Sequence, residues 1–143
     1  MSFNVLIVDD SRSMRAVIKK TISMSGFKID QCVEAGNGRE ALDVLARSWV
    51  DVIISDINMP EMNGFEFLEE LKKDSLLKAI PAIVISTEGS EKSIQNALEL
   101  GAKGFIKKPF LPQEIKKVLY EVIGVGDEGE YEEDKGDDNA FDF

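Results

Sequence analysis

The chain has 143 residues, 43% of them apolar, a length that suits one domain with a substantial core and not two. It carries no histidine and a single cysteine, Cys32, which excludes histidine-based triads, His-ligated zinc and an internal disulfide and leaves carboxylates, hydroxyls and lysines for any chemistry. The formal net charge of −10 is unevenly placed: residues 126–143 hold nine carboxylates and one lysine, so residues 1–125 carry 16 basic against 18 acidic side chains, with no basic excess to draw them to nucleic acid or a membrane surface.

No apolar run approaches the roughly 20 residues of a membrane-spanning helix. The N-terminus runs from four apolar residues into Asp9 and Asp10 rather than into a cleavage site, so a cytoplasmic protein is expected.

In chain order, residues 1–125 read as five repeats of an apolar strand followed by an amphipathic helix. A strand over 4–8 leads to a helix marked by Met14, Val17, Ile18 and Ile22, with Ser11 suited to its N-cap and Gly26 to a left-handed end. A strand over 30–34 precedes a helix with Ala41, Leu42 and Leu45; the intervening Gly36-Asn37-Gly38 reads as a turn and helix cap. A strand over 50–55 is followed by Phe65, Leu68 and Leu71 at helical spacing. A strand over 82–86 precedes Ile94, Ala97 and Leu98, with Ser90 as N-cap and Gly101 at the far end. A strand over 104–107 leads to Pro112 in a first helical turn and to Ile115, Val118, Leu119 and Val122.

Strands such as VLIV and VIIS are apolar on both faces, which a parallel sheet covered by helices on each side demands. The alternation predicts an α/β, doubly wound (βα)5 domain with a five-stranded parallel sheet, whose ligand crevice lies at the carboxyl ends of the strands. Those ends deliver Asp9 and Asp10, Asp56, Ser86 and Thr87, and Lys107, Lys108 and Pro109. Two carboxylates about 4 Å apart repel by roughly 4 kcal/mol at an effective dielectric of about 20, so three in one crevice require a cation. Every available ligand is a hard oxygen, which predicts Mg2+ held mainly by Asp10 and Asp56, with Mn2+ as a substitute. Neither a GxxxxGK[ST] nor a GxGxxG loop is present to cradle a nucleotide. The set suits a small phosphoryl group delivered from outside to a carboxylate acceptor, Asp56, on the central strand.

The motifs VLIVDDS, SDINMPEMNGFEF, VIST and GFIKKPF, in this order and spacing, resemble the receiver domains of two-component response regulators, most closely the single-domain CheY type, over about residues 3–124. The resemblance implies a flavodoxin-like fold and phosphorylation of Asp56 by a partner histidine kinase of the CheA kind. It implies Mg2+ ligation by Asp10, Asp56 and the backbone carbonyl of Asn58, with Asp9 acting through water. Lys108 takes the place of the family lysine because it precedes Pro109; it would pair with Asp56 at rest and with a phosphoryl oxygen afterwards, and the Lys108-Pro109 bond would be cis. Ser86 would donate to the phosphoryl group and Phe105 would turn inward when Ser86 moves. Asn58 and Glu88 are the types associated with a short-lived aspartyl phosphate. Downstream, the resemblance implies a target protein such as a flagellar motor switch component, docking on the face made by the fourth helix, fifth strand and fifth helix, and a phosphatase. The alternative role is a stand-alone phosphorelay intermediate or phosphate sink outside chemotaxis.

Two residues depart from the commonest pattern. Thr87 stands where a small residue is usual, and Phe105 lacks the hydroxyl of the CheY-type tyrosine. An Asp-nucleophile phosphatase would need a second Asp two residues after the first, where this chain has Asn58, so the domain is not read as an enzyme beyond its own phosphorylation and dephosphorylation. Residues 126–143 form an acidic tail of disordered composition, with Tyr131, Phe141 and Phe143 as candidate anchors. Its candidate receptor is a receiver face, its own or a neighbour's, where Lys92, Lys103, Lys107, Lys116 and Lys117 accumulate.

Overall fold

A computed structural model describes residues 2–124; the acidic segment 126–143 and the docking expected of it lie outside the described residues. Five strands, β1 (Phe3–Val8), β2 (Ile29–Ala35), β3 (Val52–Ser55), β4 (Ala82–Ser86) and β5 (Gly104–Lys107), alternate with helices α1 (Arg12–Ser25), α2 (Gly38–Leu45), α3 (Gly64–Lys73), α4 (Glu91–Glu99) and α5 (Pro112–Ile123). All strand pairs are parallel, in the order β2-β1-β3-β4-β5. This is the doubly wound sheet that the alternation of strand and helix predicts. Its order reverses at β1, so the crevice opens between the ends of β1 and β3.

Successive strand side chains face opposite ways, which divides the core into two layers. Leu6, Val8, Ile53 and Val84 pack with Ala41, Leu45, Phe67, Leu71 and Ala97 of α2, α3 and α4. Val5, Ile7, Ile54, Ile83 and Ile85 pack with Ile18 and Ile22 of α1 and Ile115 and Leu119 of α5. Both faces of β1, β3 and β4 are therefore dry, which accounts for their unbroken apolar sequences.

Local signals act as their chemistry dictates. The Ser11 hydroxyl accepts from Met14 N at 3.1 Å, Asn37 from Glu40 N at 2.9 Å and Ser90 from Ser93 N at 3.2 Å. Gly26 closes α1 at φ 92°, a left-handed conformation that costs glycine little.

Some boundaries and facings differ from the sequence expectation. β3 begins at Val52 rather than Val50, because Asp51 leaves the ladder to exchange bonds with Asn4: its N–H donates to the Asn4 carbonyl at 2.8 Å and its carboxylate accepts from Asn4 N at 2.7 Å. β2 is one residue longer at each end than 30–34, and β1 starts one residue earlier, at Phe3. Val17 and Leu98, placed inward by helical spacing, are 51% and 48% exposed, since Ile18 and Ala97 hold the adjacent buried positions. A short 3-10 turn, Leu77–Ala79, carries the chain from α3 to β4. Among the described residues no helix is long and apolar enough to cross a membrane.

Candidate functional site: an acidic crevice at the strand ends

β1 ends in Asp9, which is 2% exposed and tightly held. Its N–H donates to the Ala35 carbonyl of β2, its Oδ1 accepts from Ser11 N at 2.9 Å, and its own carbonyl accepts from Arg15 Nη1 at 2.5 Å. Arg15 is fixed in turn by a 2.7 Å bridge from Nε to Glu34. Asp10, the next residue, is exposed at the rim. Asp56 follows β3; its N–H donates to the Val8 carbonyl at 2.9 Å and its Oδ1 accepts from Ile57 N at 2.8 Å. One oxygen from each of Asp9, Asp10 and Asp56 lies within 4.8 Å of the others.

β5 supplies the cation. Lys108 Nζ lies 3.3 Å from Asp9 Oδ2 and 3.8 Å from Asp56 Oδ1, so the ammonium pairs with Asp56 and shares that pairing with Asp9, which it approaches more closely. The Lys108 N–H donates to the Ser86 carbonyl at 2.8 Å, and the Lys108-Pro109 bond is cis. Lys107 takes the opposite direction: it is exposed and its aliphatic stem covers Gly89.

Three carboxylates and one ammonium leave the crevice with an excess of two negative charges. Desolvation pushes the Asp56 carboxyl above the usual carboxylate range; the Ile57 N–H and Lys108 pull it down, while Asp9 and Asp10 push it further up. The three acidic groups offer only hard oxygen, the donor set of Mg2+ rather than of a soft metal.

Around this core, Ser86 is fully buried at the end of β4, with its hydroxyl accepting from Glu88 N at 3.0 Å. Glu88, Thr87 and Asn58 are exposed, on the loops after β4 and β3; the Glu88 carboxylate accepts a 3.5 Å bond from the Ser93 hydroxyl. Phe105 on β5 is half-buried beside Val84 of β4 and packs on the α2–α4 layer of the core.

Two residues that spacing alone does not single out shape the crevice. Arg15 holds the Asp9 backbone, yet in sequence it reads as one more solvated helix charge. Gly64 donates to the Ile57 carbonyl at 2.7 Å, and a Cβ there would collide with the Asp56 carbonyl and come within 2.9 Å of Ile57 Cα. The start of α3 is thereby pressed against the segment carrying Asp56. A glycine opening a helix shortly after a strand-end Asp was the available signal.

Residues 5–120 match the family model described as the response regulator receiver domain. The chain is 43% identical over 124 residues to chemotaxis protein CheY1 of Helicobacter pylori, covering 86% of this chain and 98% of that one. The structure of the chemotaxis response regulator CheY4 of Vibrio cholerae superposes with a TM-score of 0.75 at 38% identity, covering 85% of this chain and 99% of the other. A CheX-CheY-BeF3-Mg+2 complex from Borrelia burgdorferi contains a chain 32% identical, with a TM-score of 0.74 and coverage of 84% and 88%. With the sheet order, the acidic crevice and these likenesses in agreement, the chain belongs to the response regulator receiver domain family and is a CheY-type response regulator of chemotaxis, a signalling domain rather than an enzyme.

Proposed function

We propose that Asp56 is the phosphoacceptor, taking a phosphoryl group from a phosphohistidine on a CheA-like partner kinase. The observation that carries this reading is Lys108 lying between Asp9 and Asp56 at the mouth of the crevice, with Asp10 beside them. An Asp56 carboxylate oxygen attacks phosphorus, the phosphorus–nitrogen bond of the donor breaks, and the departing imidazole takes a proton. Asp10, Asp56 and the Asn58 carbonyl would hold Mg2+, with Asp9 acting through water; when bound, the ion supplies charge neutralisation for the transferring group.

Lys108 then exchanges a carboxylate partner for a phosphoryl oxygen, and Ser86 donates its hydroxyl to another. Phosphorylation adds a charge of about −1.5 to −2 and three acceptor oxygens. Hydrogen bonds to charged groups contribute about 1.5–3 kcal/mol each, against about 5.5 kcal/mol to drive a two-state equilibrium from 1:99 to 99:1. The phosphate therefore shifts the population in part, and a target that prefers the switched state completes it. Phe105, packed beside the β4 end that carries Ser86, reports the Ser86 shift by turning inward on the face made by α4, β5 and α5. That face would receive a target such as a flagellar motor switch component in the cytoplasm. Asn58 and Glu88, exposed at the rim, admit water and a phosphatase and keep the phosphate short-lived.

Incubation with acetyl phosphate and Mg2+, followed by intact-protein mass spectrometry, should show one added phosphoryl group that is lost in Asp56→Asn. An unmodified wild-type chain, or modification that persists in the variant, rejects the assignment.

A further inference from the structure

Helix α1 and its flanks stand apart in charge from the rest of the chain. Residues 11–28 contain Arg12, Arg15, Lys19, Lys20 and Lys28 and no carboxylate, in a chain whose net charge is −10. Of these only Arg15 forms an ion pair with another described residue, Glu34. The helix also leaves apolar surface uncovered: Val17 is 51% and Met24 68% exposed.

Helical geometry places these groups. Arg15 and Lys19 look toward β2, where Arg15 meets Glu34 and the charge of Lys19 acts on Cys32. Val17 and Met24, seven residues apart and nearly in line, lie on the other flank, the one turned toward α5, with Lys20 between them. From α5, Lys116 crosses to α1: its Nζ stands 3.4 Å from where a Cβ on Gly26 would be, and 5.8 Å over the Tyr120 ring. The Tyr120 ring in turn lies 5.5 Å from Phe27. Lys116 thus reaches the side of α5 that meets α1.

Gly124, four residues beyond Tyr120, closes α5 at the basic end of this groove. The following residues, 126–143, carry nine carboxylates, one lysine and the aromatics Tyr131, Phe141 and Phe143. Extended, 18 residues reach about 60 Å, whereas the 14 residues of α1 span about 21 Å. Reach, charge and apolar content all match the groove that begins beside the point of departure.

We propose that residues 126–143 lie along the α1–α5 groove of their own chain, carboxylates against Lys20, Lys28 and Lys116 and an aromatic ring on Val17 and Met24. Asp10, at the other end of α1, repels the segment and confines it to the C-terminal part of the helix. The occupant would exclude any acidic partner from α1 until salt or a competing surface displaced it.

The test uses the full chain with Asn139→Cys in a Cys32→Ser background, spin-labelled and observed by amide nuclear magnetic resonance. At about 0.01 M ionic strength, where the Debye length is about 30 Å, the amide peaks of Val17, Lys20, Met24 and Lys116 should be lost to paramagnetic broadening. They should return at about 1 M, where it is about 3 Å, and in Lys20→Gln combined with Lys28→Gln. In the chain with native cysteine and no label, the same amides should shift with salt more than those of Lys92 and Lys103. Broadening centred on Lys92 and Lys103, or absent everywhere, overturns the proposal. Broadening that appears only when a labelled chain is mixed with an isotope-enriched unlabelled one also overturns it, because the occupant is then a second copy.

Discussion

The Lys108 ammonium sits 3.3 Å from Asp9 and 3.8 Å from Asp56, joining the end of β5 to the ends of β1 and β3 across the crevice. Asp9 is almost wholly buried and its other oxygen is taken by Ser11 N. Removing Lys108 leaves that carboxylate dry and without its cation. Lys108→Met should therefore cost about 3 kcal/mol at pH 7, read from urea unfolding, the scale seen when one member of a buried pair is deleted. Asp9→Asn added to Lys108→Met should recover much of the loss. A stable Lys108→Met chain would show that the pair contributes no net stability.

Burial lifts the Asp56 pKa in the folded chain above the 3.8 of a free carboxyl. Between those two values the native state binds more protons than the unfolded state, so this group's contribution to stability is present below 3.8 and is lost as pH rises through the folded pKa. Asp56→Asn removes the desolvated charge and its repulsion by Asp9 and Asp10. In chelator, the variant should melt above the wild type at pH 7, with a difference that shrinks as pH falls toward 4. A difference independent of pH would assign the effect to something other than the Asp56 charge.

Much of this was legible in the sequence, for reasons that can be traced to particular residues. Ser55 and Ser86 end strands dry on both faces, so the run of β-branched residues before each marks where its ladder ends. Asp9, Asp10, Asp56 and Lys108 follow directly from such runs, and the parallel topology brings their ends together. Spacing could not show which of Asp9 and Asp56 lies nearer the ammonium, because that depends on how β5 and the chain after it sit on β4, through the Lys108 N–H to Ser86 carbonyl bond. Nor could it place Val17 and Leu98, whose neighbours Ile18 and Ala97 already fill the buried arc.

Gly64 is a backbone requirement rather than a flexible joint. A methyl group there meets the Asp56 carbonyl and the Ile57 Cα, neither of which can rotate away. Gly64→Ala should destabilise the fold by about 1–3 kcal/mol and slow phosphorylation by acetyl phosphate, because relief of the clash moves the segment that aims Asp56. Gly101, with φ 105° and open space around it, is the comparison: Gly101→Ala should cost about 1 kcal/mol from backbone strain and leave the phosphorylation rate unchanged. Equal rates in the two variants would uncouple α3 from the site.

Mg2+ should stabilise the folded chain, since only the native state assembles Asp9, Asp10 and Asp56 within 4.8 Å. At a free concentration 100 times its dissociation constant the gain is about 2.7 kcal/mol, visible as a rise in melting temperature that chelator reverses. Asp10 separates metal binding from folding, because it is exposed at the rim and no described hydrogen bond or ion pair depends on it. Asp10→Asn should leave the melting temperature in chelator near or slightly above that of the wild type, as repulsion toward Asp56 is relieved, and abolish most of the rise on adding Mg2+. Lys108 would then remain the cation of the crevice. A full Mg2+ response in Asp10→Asn would place the ion elsewhere on the acidic surface and remove Asp10 from the ligand set.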